Sequence, residues 1–221
     1  MLSRQAITTG GYRDSLGSLS TLRWTEAQIR DSLSATLAHR PSNAPVWVFA
    51  YGSLIWNPLM KFEEQRPASL EGYRRSFCLR TIASRGSAEL PGRMLSLEPG
   101  GRTCGIAYRV REEVLVEELE LMWVREMIAG VYVPTWVSLS LEAGESVLGL
   151  AFIANPTHPL YDADVAPATV GPIAAVATGV LGANASYVQD LEKALLACNI
   201  ADPYVTDVAD AMRRELERLA Q

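Results

Sequence analysis

The first clear hydrophobic pattern is a charge-free run of β-branched and aromatic residues at 46–51, which stops at Gly52-Ser53. Such a run predicts a buried strand, and the glycine predicts a tight turn after it. Glycine tolerates unusual backbone conformations and has no side chain, so N–H groups in the turn could approach a ligand closely and form a small anion site. An ordinary strand end with a turn would give the same pattern, and both interpretations stay open here.

The pattern elsewhere predicts a mixture of strands and helices. A capping box at residues 25–28 predicts a helix to about Ala38, followed by a proline-bearing linker at 41–45. We predict further strands at 72–81, 93–97, 103–110, 131–141 and 146–154. We predict one helix at 112–127, with Gly130 placed to end that helix. Two more helices are predicted, one from a capping box at 186–189 onward and one at 204–219. Strands in the middle of the chain with helices outside them favour an α+β fold over alternating α/β.

Composition limits the class of protein. A chain of 221 residues suits one main domain, and a formal charge of −5 without a basic run argues against a nucleic-acid partner. Cys78, Cys104 and Cys198 are odd in number and far apart, so neither a disulfide framework nor a cysteine metal site is indicated. Such cysteine use is typical of the reducing cytosol, and we expect a cytoplasmic protein.

Two segments of the chain, 1–17 and 165–189, bear on whether the protein carries a targeting signal or a membrane span. Residues 1–17 are polar and lack the apolar run of a secretory signal peptide, so they predict a flexible arm whose deletion should leave folding and function nearly unchanged. We therefore divide the chain into an N-terminal arm and helix, 1–44, and a main domain, 45–221. The charge-free stretch 165–189 is only weakly apolar and contains two prolines, which favours buried helix and loop over a membrane span.

One acidic residue lies on an apolar helix face. Leu115, Leu119, Met122 and Trp123 share one face of the predicted helix 112–127, and Glu126 falls on the same face. An unpaired buried carboxylate costs several kcal/mol, so this group must be paired, hydrogen-bonded or protonated. A structural salt bridge to Arg93 or Arg75 would satisfy it. General acid–base catalysis also requires such a carboxylate.

Several other chemistries are weakened by the sequence. The histidines, His39 and His158, lie in predicted linker and loop regions, so a Ser-His-Asp triad or a multi-histidine metal site is implausible. Ser53 lacks the Gly-x-Ser-x-Gly context of a hydrolase nucleophile, and Gly52 belongs to neither a phosphate-binding loop nor a dinucleotide fingerprint. The usual cofactors are therefore not indicated.

Several sequence blocks, in order, resemble the ChaC-like γ-glutamylcyclotransferases. Residues 49–58 read Phe-Ala-Tyr-Gly-Ser-Leu-Ile-Trp-Asn-Pro, which resembles the family's Phe-Gly-Tyr-Gly-Ser-Leu signature, with Ala50 where the family usually has glycine. Further family-like blocks occur at 72–77, 91–95, 105–109, 125–127 with 131–132, and 182–187. The resemblance covers most of residues 46–215. It implies a small mixed β-barrel or strongly curved sheet surrounded by helices.

The resemblance also implies a function and its site. It implies intramolecular aminolysis of glutathione, which releases 5-oxoproline and Cys-Gly and needs neither a metal nor a cofactor. Glu126 falls on the family's catalytic glutamate. We expect backbone N–H groups of the signature to hold the substrate's α-carboxylate, and an arginine to be able to reach a substrate carboxylate. The expected substrate-binding residues are Val48, Phe49, Ala50, Tyr51, Gly52, Ser53, Leu54, Arg93, Tyr132 and Tyr187.

Two alternatives remain open from the sequence. A cyclotransferase for other γ-glutamyl amines or dipeptides would keep the chemistry and change the leaving group. A non-catalytic protein that binds a γ-glutamyl ligand would use the same pocket, although the acid at position 126 argues against it. Ala50 could narrow the approach of the ligand to the loop, because its methyl group replaces the hydrogen of a glycine.

Overall fold

The computed structural model of the protein describes residues 2–41 and 43–221. Its seven strands are β1 (Val46–Ala50), β2 (Glu64–Thr81), β3 (Gly92–Val110), β4 (Tyr132–Leu141), β5 (Ser146–Ala154), β6 (Thr178–Gly179) and β7 (Gly182–Ala183). Its seven α-helices are α1 (Arg4–Thr8), α2 (Gly11–Ser15), α3 (Glu26–Ala38), α4 (Leu115–Glu126), α5 (Pro167–Val176), α6 (Asn184–Ala197) and α7 (Pro203–Leu219), with 3₁₀ turns at Gly17–Leu22, Glu112–Val114 and Glu142–Gly144. These elements confirm the expected α+β class.

The first five strands form a closed barrel in the order β1-β3-β2-β4-β5. β1 pairs antiparallel with β3, Val48 lying opposite Tyr108, and parallel with β5, where Val48 lies opposite Leu150. The parallel pairing of β1 with β5 closes the barrel. The expected small barrel with helices around it is confirmed.

β1 is buried on both of its faces, as its uninterrupted apolar sequence predicts. Trp47 and Phe49 belong to an apolar cluster that collects residues from all five barrel strands and from α5, α6 and α7. Val46 and Val48, on the opposite face, pack with residues of α3 and α4. The end of β1 is therefore held rigidly between two apolar layers.

Three predicted boundaries in the sheet are wrong. β2 begins at Glu64 rather than at 72, and the other two boundaries fall within β3. The sequence predicts separate strands at 93–97 and 103–110, but both belong to the single strand β3. Gly100 and Gly101, both with positive φ, lie where the pairing with β2 shifts its register between Glu71 and Tyr73. A bulge of this kind admits extra residues without ending the strand, so the Pro-Gly-Gly sequence marks a bend rather than a loop.

The helices outside the barrel follow the sequence more closely. The capping box at Thr25 is present, with the Thr25 hydroxyl accepting from the Gln28 N–H and the Gln28 side chain accepting from the Thr25 N–H. The predicted capping box at 186–189 is wrong, because α6 begins at Asn184, a residue that is fully buried. The charge-free stretch forms α5, the small hairpin β6–β7 and the start of α6. No helix within 2–41 or 43–221 has the length and apolar character needed to cross a bilayer.

The N-terminal segment, residues 2–22, is not the flexible arm that its polar sequence predicts. It forms α1, α2 and a 3₁₀ turn, and it buries four apolar side chains: Ile7, Tyr12, Leu16 and Leu19. These pack against Leu121, Ile128 and Ala129 at the C-terminal end of α4 and beyond it. The spacing of the four side chains by three to five residues is the helical signal that the sequence analysis overlooked. The division of the chain at residue 44 stays a prediction.

Candidate active site

A cavity of about 190 Å³ lies where the end of β1, the end of α4, the start of β4 and the start of α6 meet. Seven of the predicted site residues line it: Tyr51, Gly52, Ser53, Leu54, Glu126, Tyr132 and Tyr187. They come from four separate parts of the chain, and the barrel brings them to one place. Their roles in binding and catalysis stay predictions.

The loop after β1 forms one side of the cavity. The Ile55 N–H donates to the Gly52 carbonyl at 2.9 Å, and the Asn57 N–H donates to the Ser53 carbonyl at 3.0 Å, so the chain turns tightly. The N–H groups of Gly52, Ser53 and Leu54 donate to no described residue. Three successive unused donors beside a cavity can bind an anion such as a carboxylate.

Glu126 is the last residue of α4, and its side chain is only 14% exposed. Its Oε1 is shielded from solvent and has no hydrogen-bond partner among the described residues. The Arg125 Nε lies 2.8 Å from Oε1, close enough for an ion pair but not oriented for a hydrogen bond. Burial raises the pKa of Glu126, and the Arg125 charge offsets this only in part. A carboxyl group with a raised pKa can both take up and release a proton.

The salt-bridge interpretation of Glu126 named the wrong arginines. Arg75 pairs with Asp202 at 2.8 Å, and Arg93 pairs with Asp162 at 2.6 Å. Arg125, the neighbour of Glu126 in the sequence, is the cation beside it.

Arg125 also connects α4 to the loop after β1. Its Nη2 donates to the Ser53 hydroxyl at 2.8 Å, and its Nη1 donates to the Asn57 carbonyl. Only 6% of its side chain is exposed. One guanidinium group therefore holds the loop and the Glu126 carboxyl in a common geometry.

Four tyrosines line the cavity around Glu126. Burial raises the pKa of each, and the negative charge of Glu126 raises each further: Tyr12, Tyr51, Tyr132 and Tyr187. They therefore stay neutral at physiological pH. The Tyr51 hydroxyl donates to the Phe152 carbonyl at 2.5 Å, and the Trp56 and Tyr187 rings pack with centroids 5.8 Å apart. The aromatic rings thus give the cavity wall a largely apolar and rigid framework, from which a limited set of polar groups faces the cavity.

Four predicted substrate-binding residues do not line the cavity. The side chains of Val48, Phe49 and Ala50 are fully buried, and these residues are paired within the barrel. Arg93 is buried with its guanidinium on Asp162, and its backbone N–H donates to Asn184 Oδ1 at 2.6 Å. The geometry therefore supports a ligand-binding loop of residues 51–54 rather than 48–54, without the Arg93 side chain.

Among the cavity residues that the sequence analysis did not predict are Tyr12, Trp56, Arg85 and Arg125. Arg125 adjoins Glu126, and Trp56 lies in the signature, so both could have been found by reading the motifs through to their ends. Arg85 has no feature in the sequence that separates it from the neighbouring arginines. Tyr12 lies in the N-terminal segment, which the sequence analysis predicted to be a flexible arm.

Gly52 does not adopt the unusual backbone conformation that the sequence analysis considered for a glycine in this turn. Its φ lies outside the left-handed region. A Cβ at this position would lie 3.5 Å from Leu95 Cδ2 and 3.7 Å from the Tyr187 hydroxyl, which are ordinary contact distances. Glycine here keeps space beside Tyr187 open.

The described residues contain no group of three or more His, Cys, Asp or Glu side chains arranged to hold a metal ion. His39 is exposed and His158 is half-buried, and neither lines the cavity. The polar chemistry of the cavity consists of Glu126, Arg80, Arg85, Arg125, tyrosine and serine or threonine hydroxyls, and backbone N–H groups.

Two proteins with similar sequences are named for the same activity. A protein of Escherichia coli (strain K12) named glutathione-specific γ-glutamylcyclotransferase is 43% identical over 217 residues, 98% of this chain and 94% of that protein. The human protein named glutathione-specific γ-glutamylcyclotransferase 1 is 31% identical over 179 residues, 76% of this chain and 78% of that protein.

A crystal structure of a yeast γ-glutamylcyclotransferase specific to glutathione superimposes with a TM-score of 0.71 at 22% identity, covering 78% of this chain and 97% of the yeast chain. This likeness shows a shared fold. The family model for ChaC-like proteins matches residues 46–215, which contain the barrel, the loop after β1 and Glu126. The chain therefore belongs to the ChaC-like family.

Proposed function

We propose that this protein is a γ-glutamylcyclotransferase that acts on glutathione and releases 5-oxoproline and Cys-Gly. The observation that carries the proposal is the pairing of a shielded carboxyl, Glu126, with three unused N–H donors in one small cavity. Family membership and the 43% identical E. coli relative, which is named for this activity, support it.

In the proposed binding mode, the N–H groups of Gly52, Ser53 and Leu54 hold the α-carboxylate of the γ-glutamyl group. The glutamyl chain then folds so that its own α-amine faces the γ-carbonyl carbon. Holding the two reacting groups at attack distance removes much of the entropic cost of ring closure. The apolar, tyrosine-lined wall leaves little room for competing water.

Glu126 is proposed to move the protons. As a carboxylate it takes a proton from the α-ammonium, and the freed amine attacks the γ-carbonyl carbon. As a carboxylic acid it then protonates the cysteinyl nitrogen while the γ-carbon–nitrogen bond breaks. Two protons pass overall from the α-nitrogen to the departing amine, and Glu126, regenerated as a carboxylate, can carry both. A raised pKa suits this exchange because the donor and acceptor forms become closer in energy.

The direct test uses purified protein, glutathione and detection of 5-oxoproline and Cys-Gly in equal amounts. The same assay with other γ-glutamyl dipeptides decides between a glutathione enzyme and a broader cyclotransferase. Absence of 5-oxoproline from all of these substrates would contradict the proposal. A binding measurement with unreacted glutathione would then examine the non-catalytic alternative.

Replacing Gly52 with valine is expected to weaken glutathione binding with little loss of stability. The new Cβ would lie at ordinary contact distances from Leu95 and Tyr187, and the two further methyl groups of valine would fill space next to the proposed anion site. We expect KM for glutathione to rise by about tenfold or more, the usual effect of a few misplaced methyl groups in a binding pocket.

Gly11→Val is the matched control for Gly52→Val, because an added Cβ at Gly11 also meets only ordinary contacts and this residue does not line the cavity. It should leave KM within twofold. An unchanged KM in Gly52→Val would place the carboxylate elsewhere in the cavity.

Arg85 is expected to bind the second carboxylate of glutathione, that of its glycine. Arg85 lines the cavity, makes no ion pair with a described residue, and donates from Nη1 to the Ala183 carbonyl at 3.2 Å. Loss of a hydrogen bond to a charged group costs about 1.5–3 kcal/mol, so Arg85→Gln should raise KM about tenfold or more.

Glutathione esterified at its glycine carboxylate supplies the control for Arg85. Wild-type protein should bind this ester as weakly as Arg85→Gln binds glutathione, and the variant should lose nothing further with the ester. Additive losses would show that Arg85 acts without contacting that carboxylate.

A further inference from the structure

The N-terminal segment, residues 2–22, lies outside the part of the chain that the ChaC-like family model matches, 46–215. It nevertheless contacts α4 and the loop after β1 through hydrogen bonds and apolar side chains. The E. coli relative aligns over 98% of this chain, whereas the human relative aligns over 76%. The segment thus lies outside the region that the family model matches.

A partly buried ion pair fixes the start of the segment. The carboxylate of Glu118, in the first half of α4, has no exposed side-chain surface and accepts from both Nη groups of Arg4. The Lys61 N–H donates to the same carboxylate at 2.9 Å. Arg4 also donates to the Leu59 carbonyl at 2.9 Å. One partly buried ion pair therefore joins the segment, the loop after β1 and α4.

Two further contacts fix the segment at either end. The Asn57 side chain donates to the Leu2 carbonyl at 3.0 Å. The Trp24 N–H, just past the segment, donates to the Ile128 carbonyl at 2.8 Å, and the Trp24 ring occupies the place where a side chain at Gly130 would lie. The segment is thus tied to both the loop that begins the cavity and the turn that follows Glu126.

Between these anchors the segment faces the cavity. Four of its side chains line it: Leu2, Tyr12, Leu16 and Leu19. Tyr12 is 8% exposed, and its hydroxyl donates to the Arg125 carbonyl, one residue before Glu126, over a long 3.4 Å. Leu16 is 2% exposed.

We propose that residues 2–22 form the wall that keeps water away from the Glu126 carboxyl, with Tyr12 and Leu16 as positioning residues for that group. The charged and titratable groups that face Glu126 from the surrounding elements are Arg125 from α4, Tyr12 from α2, Tyr51 from the end of β1, Tyr132 from β4 and Tyr187 from α6. Among these groups only Arg125 is charged at neutral pH, and its effect on the pKa of Glu126 is smaller than that of burial. Arg80 and Arg85, which also carry a charge, line the same cavity.

The wall has a consequence for proton transfer. Burial is the main cause of the raised pKa of Glu126, so an opening to solvent should bring that pKa down toward its ordinary range. Activity that needs the carboxylate form falls as pH drops through this pKa. The acidic limb of the pH–kcat profile should therefore move to lower pH when the wall is opened, by about one unit, while kcat falls about tenfold.

The test compares Leu16→Ala with Ile7→Ala in the full-length chain. Both truncate a buried side chain of the same apolar cluster, but only Leu16 lines the cavity. Tyr12→Leu, which keeps an apolar side chain, is a second variant in case Leu16→Ala does not fold. Leu16→Ala and Tyr12→Leu should shift the acidic limb, whereas Ile7→Ala should not. An equal shift in Ile7→Ala, or no shift in the folded cavity variants, would overturn the proposal.

A second readout does not need the reaction. The carboxyl ¹³C chemical shift of Glu126, assigned by comparison with Glu126→Gln, reports its titration in each variant without substrate. A lowered titration midpoint in Leu16→Ala supports the wall, and an unchanged midpoint overturns it. Because only the activity assay rests on the proposed function, a wild-type protein that makes no 5-oxoproline would refute that function and leave the titration test valid.

Discussion

Glu126→Gln should lower the turnover of glutathione by about 10²–10⁴, the usual contribution of general acid–base catalysis, and should leave the fold intact. Glutamine keeps the size of the side chain and most of its hydrogen bonding, but it cannot accept and return a proton. The measurement is kcat from 5-oxoproline release, with circular dichroism to verify folding. A folded variant that works at nearly the wild-type rate would refute the role of Glu126.

The melting curve of the same variant gives an independent result. Because the pKa of Glu126 is raised in the folded state, the ionised carboxyl destabilises the fold at pH above that pKa, and this cost disappears as pH falls below the ordinary carboxyl pKa. Glu126→Gln lacks the cost at every pH. The variant should therefore be at least as stable as wild type at pH 8, and its advantage should shrink toward pH 4.

A purely structural ion pair would produce the opposite pattern. Removing the carboxylate would leave the buried Arg125 without its counter-charge and destabilise the fold by several kcal/mol. Activity would then fall only as the protein unfolds. The combination of a lost kcat and an unchanged or raised Tm separates catalysis from structure.

Replacing Arg125 with methionine is expected to have the second-largest effect, on both stability and activity. The guanidinium lies beside Glu126 and donates to Ser53 and Asn57, so its loss leaves a shielded carboxyl without a cation and frees the loop. The two hydrogen bonds that this charged group makes to the loop are lost, at about 1.5–3 kcal/mol each. Denaturant unfolding should show this loss in the free energy of unfolding, and kcat/KM should fall because the proposed anion site is no longer held.

Arg218→Met provides the comparison for Arg125→Met. Arg218 pairs with Glu215 on the surface, and 68% of its side chain is exposed, so its loss should cost less than about 1 kcal/mol. If the two variants lose the same stability, Arg125 is not the connection between α4 and the loop that its contacts indicate.

Much of the fold could be predicted because local patterns and tertiary packing agree. β1, α3, β5 and α7 each combine a clear period or apolar run with a defined start, and their observed bounds lie within one residue of the predicted ones. β3 was split because proline and glycine residues usually end strands, whereas here they form a bulge. The fold of residues 2–22 depends on contacts with α4 and the loop after β1, more than 30 positions away, which a local pattern does not contain.

The candidate site also contains some residues that the sequence predicts and others that it does not. Glu126 stands out in the sequence because a carboxylate on an apolar face needs a reason, and the glycine loop stands out because it interrupts a buried run. Tyr12 has no such local signal and reaches the cavity only through the docking of its segment. Arg93 was predicted to bind substrate, but its guanidinium pairs with Asp162. The spacing of residues along a strand does not tell which acid a buried arginine will contact.

The closure of the barrel by β1 and β5 bears on how the protein acquires its cavity during folding. Val48 and Leu150 are partners in the parallel pairing, roughly a hundred residues apart in the chain. Such a distant contact forms late, because the entropy of closing a long loop must be overcome before the pairing contributes stability. On the ribosome, β1 must therefore wait for β5 to emerge. Until then β1 has β3 as its only partner among the described strands, and Tyr187 of the cavity has not yet been synthesised, so substrate binding becomes possible only near the end of synthesis.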